Sequence, residues 1–302
     1  MDIKDLEYFT VICKHQNIAK AARSLYITPQ GLSKIVKNLE AELGTVLLQR
    51  TGNGITLTDS GQYLSRNLPE FLQSYHHMCS EIRCIAQRET HEIHLLSAYG
   101  ILRLVTPDCL AAFSAQYPHI QLCYREFPDR QVEQRFLSGE GDVAFTVGRS
   151  ALKHVDATPM EKFEIKLMVH KDNPLSQKTS ADIRDLATYP LYIESTEFNI
   201  HHDIMARCEA AGVTPKIAFE SSGFSLCQKM VSQNKGISVI VDFISDDMQN
   251  SNLRLLPFSD GPYYWETYML TRRGEAPNPD VLLFRDFILE WMRKIKRGEI
   301  RR

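Results

Sequence analysis

Residues 17–58 read NIAKAARSLYITPQGLSKIVKNLEAELGTVLLQRTGNGITLT, and this stretch decides what the first part of the chain becomes. Asn17 can cap a short helix from Ile18 to Leu25, in which Ala19, Ala21 and Ala22 are small enough for another helix to cross closely. Leu25-Tyr26-Ile27 makes a tight connection. Thr28 then offers its hydroxyl to free backbone N–H groups, and Pro29 takes the first helical position, where a missing N–H costs nothing. From there Leu32, Ile35, Val36, Leu39 and Leu43 recur at helical spacing and predict one buried stripe. The opposite flank holds Gln30, Ser33, Lys34, Lys37 and Asn38, side chains of the kinds that bond phosphates and base edges. A short helix, a tight turn and a capped helix with such a flank is the order that sets a helix in a DNA major groove.

Upstream, Leu6, Phe9, Val11 and Ile12 predict an amphipathic helix ending near His15-Gln16. Downstream, Val46–Arg50 and Ile55–Thr58 predict two short strands joined by Thr51-Gly52-Asn53-Gly54, a wing. Arg50 at its base either reaches a minor groove or pairs with a neighbouring carboxylate. Between residues 14 and 50 six cations (Lys14, Lys20, Arg23, Lys34, Lys37, Arg50) face only Glu40 and Glu42, a basic patch within a chain whose formal charge is -2. The near-neutral total therefore conceals a modest local field, which by charge alone reads as a solvated helix surface and only with the order of the elements as a DNA-facing one.

The run Ala21-Ala22-Arg23-Ser24-Leu25, then Leu32-Ser33-Lys34, Leu39-Glu40-Ala41-Glu42-Leu43-Gly44, Leu47, Arg50 and Leu57-Thr58-Asp59-Ser60-Gly61 resembles the winged helix-turn-helix of LysR-type transcriptional regulators. The resemblance implies that Ser33, Lys34 and Lys37 face DNA from the recognition helix and that Arg50 does so from the wing. With Thr28 and Gln30 these residues form the candidate DNA-contact set. The chain departs from the pattern at Leu48, where the family usually has an aromatic, and at Pro29-Gln30, where it often has Gln-Pro. The second departure leaves the role of Gln30 open.

Thr58-Asp59-Ser60 supplies cap candidates for a helix to about Arg88, in which Leu64, Leu68, Phe71, Tyr75, Met78, Ile82 and Ile85 form a heptad seam. No second long heptad segment exists to pair with it. Self-association through Leu68, Phe71, Tyr75, Met78 and Ile82 is expected, with Pro69 removing one helical hydrogen bond near the start. The family resemblance also points to a dimerising linker helix, and palindromic DNA needs such two-fold symmetry.

From residue 92 onward strands and helices alternate. Ile93–Leu96, Ile120–Glu126 and Val143–Val147 read as strands and Ile101–Gln116 and Gln131–Leu137 as helices, the pattern of a parallel α/β sheet. A second set follows: Glu164–His170, Leu191–Ile193, a helix near His202–Ala211, Ile217–Glu220, a helix near Phe224–Gln233, and Ile237–Ile240. Two small lobes sharing a cleft fit this length. The strings Phe136–Phe145, His170 through Asn173-Pro174-Leu175, and Met230-Val231 through Gly236-Ile237-Ser238 are similar to the LysR-type effector domain, a fold akin to periplasmic binding proteins. That resemblance implies a first lobe closed by a final helix, Asp280–Lys296, and two hinge crossings near Thr158–Lys162 and Trp265–Met269.

The expected architecture is thus an N-terminal all-α winged helix-turn-helix (1–58), a linker helix (59–89) and a C-terminal α/β two-lobed effector domain (90–302). Lobe I spans about 90–160 and 268–302, and lobe II about 161–267. Ligands of α/β clefts sit at strand C-termini, where helix N-termini present N–H groups. That rule selects Ser97, Ala98, Tyr99 and Gly100 after the first strand. At the other strand ends it selects Phe127, Asp129, Thr146, Gly148, Ser195, Thr196, Ser222 and Phe224. Many relatives carry Ser or Thr at the positions aligned with Ala98, Gly100 and Asp129, where those hydroxyls hold a carboxylate. Their loss here, and the gain of an acid, argue for an amine-bearing, neutral or bulkier effector. Asp129 has a second reading, as a cap of the helix that follows it.

Other chemistries find little support. Seven cysteines without a C-x-x-C pair signal neither a disulfide framework nor a zinc site, and the Cys208/Cys227 redox reading lacks an activating cation beyond Arg207 and Lys229. His91-Glu92-Ile93-His94 is one residue short of a zinc-binding HExxH, and no phosphate loop or G-x-S-x-G elbow occurs. No enzyme activity, metal or cofactor is expected. No apolar run approaches the ~18 residues that span a bilayer, and the start, Met1-Asp2-Ile3-Lys4-Asp5, lacks the regions of a secretion signal. The expectation is a cytoplasmic homodimer or homotetramer, its partners double-stranded promoter DNA, a small-molecule effector and, for an activator, RNA polymerase.

Overall fold

The computed structural model describes residues 1–51, 54–87, 91–148, 155–246, 250–273 and 278–300; the side chains of residues 50, 51, 77, 80, 81, 83–87, 245 and 246 lie outside the description. Two compact units emerge, Met1–Ser80 and Glu81–Arg302. Among the described residues no helix is long and apolar enough to cross a membrane.

The first unit contains α1 (Ile3–His15), α2 (Ile18–Ser24), α3 (Pro29–Leu43), the strands β1 (Leu48–Thr51) and β2 (Gly54–Leu57), and the start of α4 (Asp59–Gln87). Local chemistry sets each boundary. Asp2 and Asp5 cap α1 reciprocally, Asn17 accepts the Lys20 N–H at the start of α2, and Thr28 accepts the Gly31 N–H at 3.1 Å at the start of α3. Leu32, Val36 and Leu39 of α3 are fully buried with Ala21, Ala22, Phe9 and Ile12. Leu43, placed in that stripe by its spacing, is exposed instead, because α3 ends there at a left-handed Gly44.

The wing is held to α3 by one carboxylate. Glu40 Oε1 accepts the backbone N–H groups of Leu47 (2.8 Å) and Leu48 (3.1 Å), just before β1 pairs antiparallel with β2 in the register Leu48↔Leu57. Thr58 then caps α4 through the Gly61 N–H (3.0 Å) while its hydroxyl donates to the Val46 carbonyl (2.7 Å). A Cβ on Gly61 would lie 2.1 Å from the Leu47 carbonyl oxygen, so the motif Leu57-Thr58-Asp59-Ser60-Gly61 exists to let a helix start against the wing backbone.

The linker helix corrects one expectation. Leu68, assigned to a dimer seam, is only 3% exposed and packs with Leu72 against Leu6, Phe9, Leu39 and Leu47. The first turns of α4 thus complete the core of the N-terminal unit, and His76 adds a 3.0 Å contact to Glu7. Further along, Phe71, Met78 and Ile82 are 52%, 54% and 61% exposed, and Tyr75 is half-buried. The side chain of Ile85 is outside the description.

The second unit begins with β3 (Glu92–Ala98), α5 (Ile101–Val105), α6 (Pro107–Gln116), β4 (Gln121–Phe127), α7 (Asp129–Leu137) and β5 (Val143–Val147). The single helix expected over Ile101–Gln116 is broken at Thr106, whose φ of 72° and following Pro107 stop one helix and cap the next. A 16-residue strand, β6 (Val155–His170), leads into α8 (Asp185–Thr188), β7 (Leu191–Glu194), α9 (Asn199–Ala210), β8 (Ile217–Ser221), α10 (Phe224–Ser232), β9 (Ile237–Val241) and α11 (Asp242–Asp246). The unit closes with β10 (Leu253–Leu256), β11 (Tyr263–Arg272) and α12 (Pro279–Lys296).

The sheet is mixed rather than parallel. β3, β4 and β5 pair in parallel, as do β7, β8 and β9, but β6 and β11 run antiparallel to their neighbours and join the two sets into one array ordered β4-β3-β5-β11-β6-β9-β7-β8, with β10 beside β6. The crossings expected near Thr158–Lys162 and Trp265–Met269 are these two strands, paired through Met269↔Thr158 and Thr267↔Glu161. Sequence alternation does not reveal strand direction, which explains the difference.

Gly61→Ala should destabilise the N-terminal unit by about 1–3 kcal/mol, since a methyl would have to displace backbone. Thermal denaturation followed by circular dichroism reads the loss; an unchanged midpoint contradicts the contact.

Candidate functional site

In the N-terminal unit α3 turns Gln30, Lys34, Lys37 and Asn38 to solvent, with Ser33 partly exposed between them and Thr28 exposed at the helix start. These residue types share one face because the other is consumed by Leu32, Val36 and Leu39. Thr28 uses its oxygen to accept the Gly31 N–H, which leaves the hydroxyl proton to donate outward. Gly31 leaves room for that cap: a Cβ there would stand 3.1 Å from Thr28 Oγ1. Tyr26, which sequence reading placed only in the connection, has φ 55° and is 96% exposed beside α3. Arg50 falls on β1, opposite Ile55, and its side chain lies outside the described residues.

In the C-terminal unit the expected cleft residues separate into groups. Tyr99, Gly100, Ser222 and Phe224 line a cavity of about 400 Å³ together with Leu102, Arg103, Pro107, Glu126, Glu194, Gly223 and Ser225. Asp129 lines a second, of about 440 Å³, with Arg130, Glu133, Gln134, Asn199 and His202. Ser97, Ala98 and Thr146 are buried in the sheet, the Ser97 hydroxyl donating to the Ala98 carbonyl at 3.0 Å. Phe127, Gly148, Ser195 and Thr196 stand at strand ends without lining either cavity. Phe127 lies under the guanidinium of Arg135 at 4.3 Å, and Gly148 donates its N–H to the Glu266 carbonyl.

The lobes meet at Asp129. Its carboxylate accepts the N–H of Asn199 at 3.0 Å, capping α9 of the opposite lobe rather than a later turn of its own helix. Around this bond the Arg130 N–H donates to the Glu197 carbonyl (3.3 Å), Gln131 Nε2 to Glu197 Oε2 (3.1 Å), and Asn199 Nδ2 to the Val147 carbonyl (2.8 Å). Burial pushes the Asp129 carboxyl up to about 7, against the two N–H groups that favour its charge, and nearby Asp203 adds to the rise. Glu194, at the end of β7, is pushed up to about 8 by burial, with the Asp129 charge contributing. Strand-end rules chose Ser195 and passed over this acid one residue earlier.

Two weaker sequence motifs take structural roles. Burial raises the Cys208 thiol and lifts Cys227 to about 11, so both remain thiols near neutral pH rather than reactive thiolates. His91 meets Asp280 at 2.9 Å and not His94; with His119 these groups bring ligand-type atoms within 4.8 Å of one another at the start of α12.

Comparison with known proteins bears on both units. The family model described as "Bacterial regulatory helix-turn-helix protein, lysR family" matches residues 3–62, and "LysR substrate binding domain" matches residues 86–293. The chain is 27% identical over 273 residues to the HTH-type transcriptional regulator YwbI of Bacillus subtilis (strain 168), covering 90% of this chain and 91% of that one. The crystal structure of full-length BenM superposes with a TM-score of 0.57 at 22% identity, covering 99% of this chain and 98% of that one. Full-length CbnR complexed with its target DNA gives 0.52 at 18% identity, covering 97% and 100%.

The two raised carboxyls make stability depend on pH. Folding favours their protonated forms, so this contribution is fully present below their ordinary values of 3.8 and 4.5 and is lost as pH rises through 7 and 8. Calorimetric melting between pH 5 and 9 should show the C-terminal transition falling, and Asp129→Asn should flatten the slope; an identical slope in the variant contradicts the assignment.

Proposed function

Because the chain belongs to the LysR family, it is a DNA-binding transcriptional regulator with an effector-binding domain, and we propose which of its residues carry each part of that task. Regulators of this family are not enzymes. Residues 1–58 read DNA, 59–89 associate two copies, and 90–302 bind the effector.

The observation that carries the DNA assignment is the exposed polar flank of α3, backed by a fully buried apolar face. Lys34 and Lys37 supply charge to phosphates, while Gln30 and Ser33 have the donor and acceptor groups that distinguish base edges. Thr28 and Tyr26 stand at the entry of the helix, where backbone contacts set register, and Arg50 extends contact from the wing. Phe71, Tyr75, Met78 and Ile82 form the seam on which a second copy assembles, since an exposed apolar stripe on a long helix favours burial against its like. Two copies then present two recognition helices to a dyad site, and pairing of dimers extends this to a tetramer. For an activator, RNA polymerase is the next partner.

The effector acts at the lobe interface. Asp129 and its neighbours hold the lobes through α9, and a ligand between α5 and α10 that binds one lobe angle better than another shifts the population toward that angle.

Footprinting of the purified chain on DNA selected from random fragments tests the reading directly. Lys34→Ala should weaken binding and reduce the slope of log affinity against log salt by about one, as for a lost phosphate contact. Absence of any footprint overturns the reading. Met78→Glu combined with Ile82→Glu should give monomers by light scattering; a persisting dimer places the interface elsewhere.

A further inference from the structure

The cavity between α5 and α10 contains an acid without a partner. Glu194 is half-buried in its wall, and among the described residues its carboxylate makes no hydrogen bond and no ion pair. The other charges on this wall are matched. Glu126 accepts the Gly100 N–H and faces Arg103, whose guanidinium lies 5.2 Å from the centre of the Phe224 ring. Behind Glu194, Asp129 is engaged by the Asn199 N–H. On the α9 side His201 turns Nδ1 to the Glu194 carbonyl oxygen at 2.8 Å and leaves Nε2 3.9 Å from Glu220. The Cys227 thiol on α10 brings no positive charge.

Among the described residues this wall is therefore left with one acid that no basic group matches; burial holds a proton on it near neutral pH, and an incoming cation would favour its charged form. A buried carboxylate without a counter-charge costs stability unless it is protonated or meets a cation. The cavity has the size of a small-metabolite site, and Tyr99, Leu102, Pro107 and Phe224 give it an apolar lining. We infer that the effector is a small organic cation, whose ammonium or guanidinium group pairs with Glu194 while its carbon skeleton lies against Tyr99 and Phe224. This rests on the reading of the C-terminal unit as an effector domain. It names the charge that the effector must bring: Arg103 already serves Glu126, and Glu194 has no basic partner among the described residues.

The test uses the full-length chain and a matched set of probes at constant ionic strength: putrescine, agmatine and lysine as cations, adipate as anion, 1,4-butanediol as neutral control. In calorimetric titration at least one cation should bind and the other two probes should not. Glu194→Gln, which keeps the shape of the side chain, should weaken that binding by about tenfold or more, the scale of one charge-assisted hydrogen bond. Binding of adipate in place of the cations, cation binding unchanged in Glu194→Gln, or no binding by any cation each overturns the inference. Footprinting without probes separates this from the regulator reading, because loss of the cation preference leaves DNA binding intact, whereas a chain that never footprints fails at the earlier step.

Discussion

The hydroxyl of Thr267 donates to the Glu161 carbonyl at 2.9 Å and accepts the Glu161 N–H at 3.1 Å, at the point where β11 and β6 shift register. These two strands carry the chain between the lobes, and every other strand of the C-terminal unit is attached to one side of them. A buried side chain that satisfies both backbone groups of one residue holds the irregularity in place, which an unpaired bulge in a dry sheet would not survive. The two sides of the C-terminal sheet are consequently joined through this pair of strands.

The N-terminal unit rests on a comparable constraint. Glu40, Thr58 and Gly61 gather the end of α3, the start of the wing and the start of α4 around the backbone of residues 46–48. The carboxylate of Glu40 is turned onto backbone N–H groups, while Lys34 and Lys37 stand exposed on the outer face.

The cleft shows the opposite arrangement. Its acids are buried faster than they are paired, and the lobe interface stores that imbalance in Asp129 and Glu194. Asp129 resolves half of it by capping α9, a use of a carboxylate that couples lobe contact to helix stability. Glu194 remains, facing a cavity, and a perturbed carboxyl without a partner among the described residues marks a place where chemistry from outside is expected.

The sequence by itself determined the local grammar. The caps at Asn17 and Thr28, the apolar stripe of α3, the strand–helix alternation and the long amphipathic linker depend on spacing within a few residues, and a 3.6-residue or two-residue period can be read without knowing what lies opposite. Tertiary structure decided what each exposed or buried side chain meets. Leu68 and Met78 sit on the same helix in the same seam pattern, yet one fills the core beside Phe9 and the other faces solvent, because α1 covers only the first turns of α4. Asp129 was legible as a cleft acid, but its partner is 70 positions away in the chain, and Glu194 was invisible until the lobes closed around it. Periodicity reports which way a side chain points from its own element; only packing between distant segments determines whether a counter-charge is waiting there.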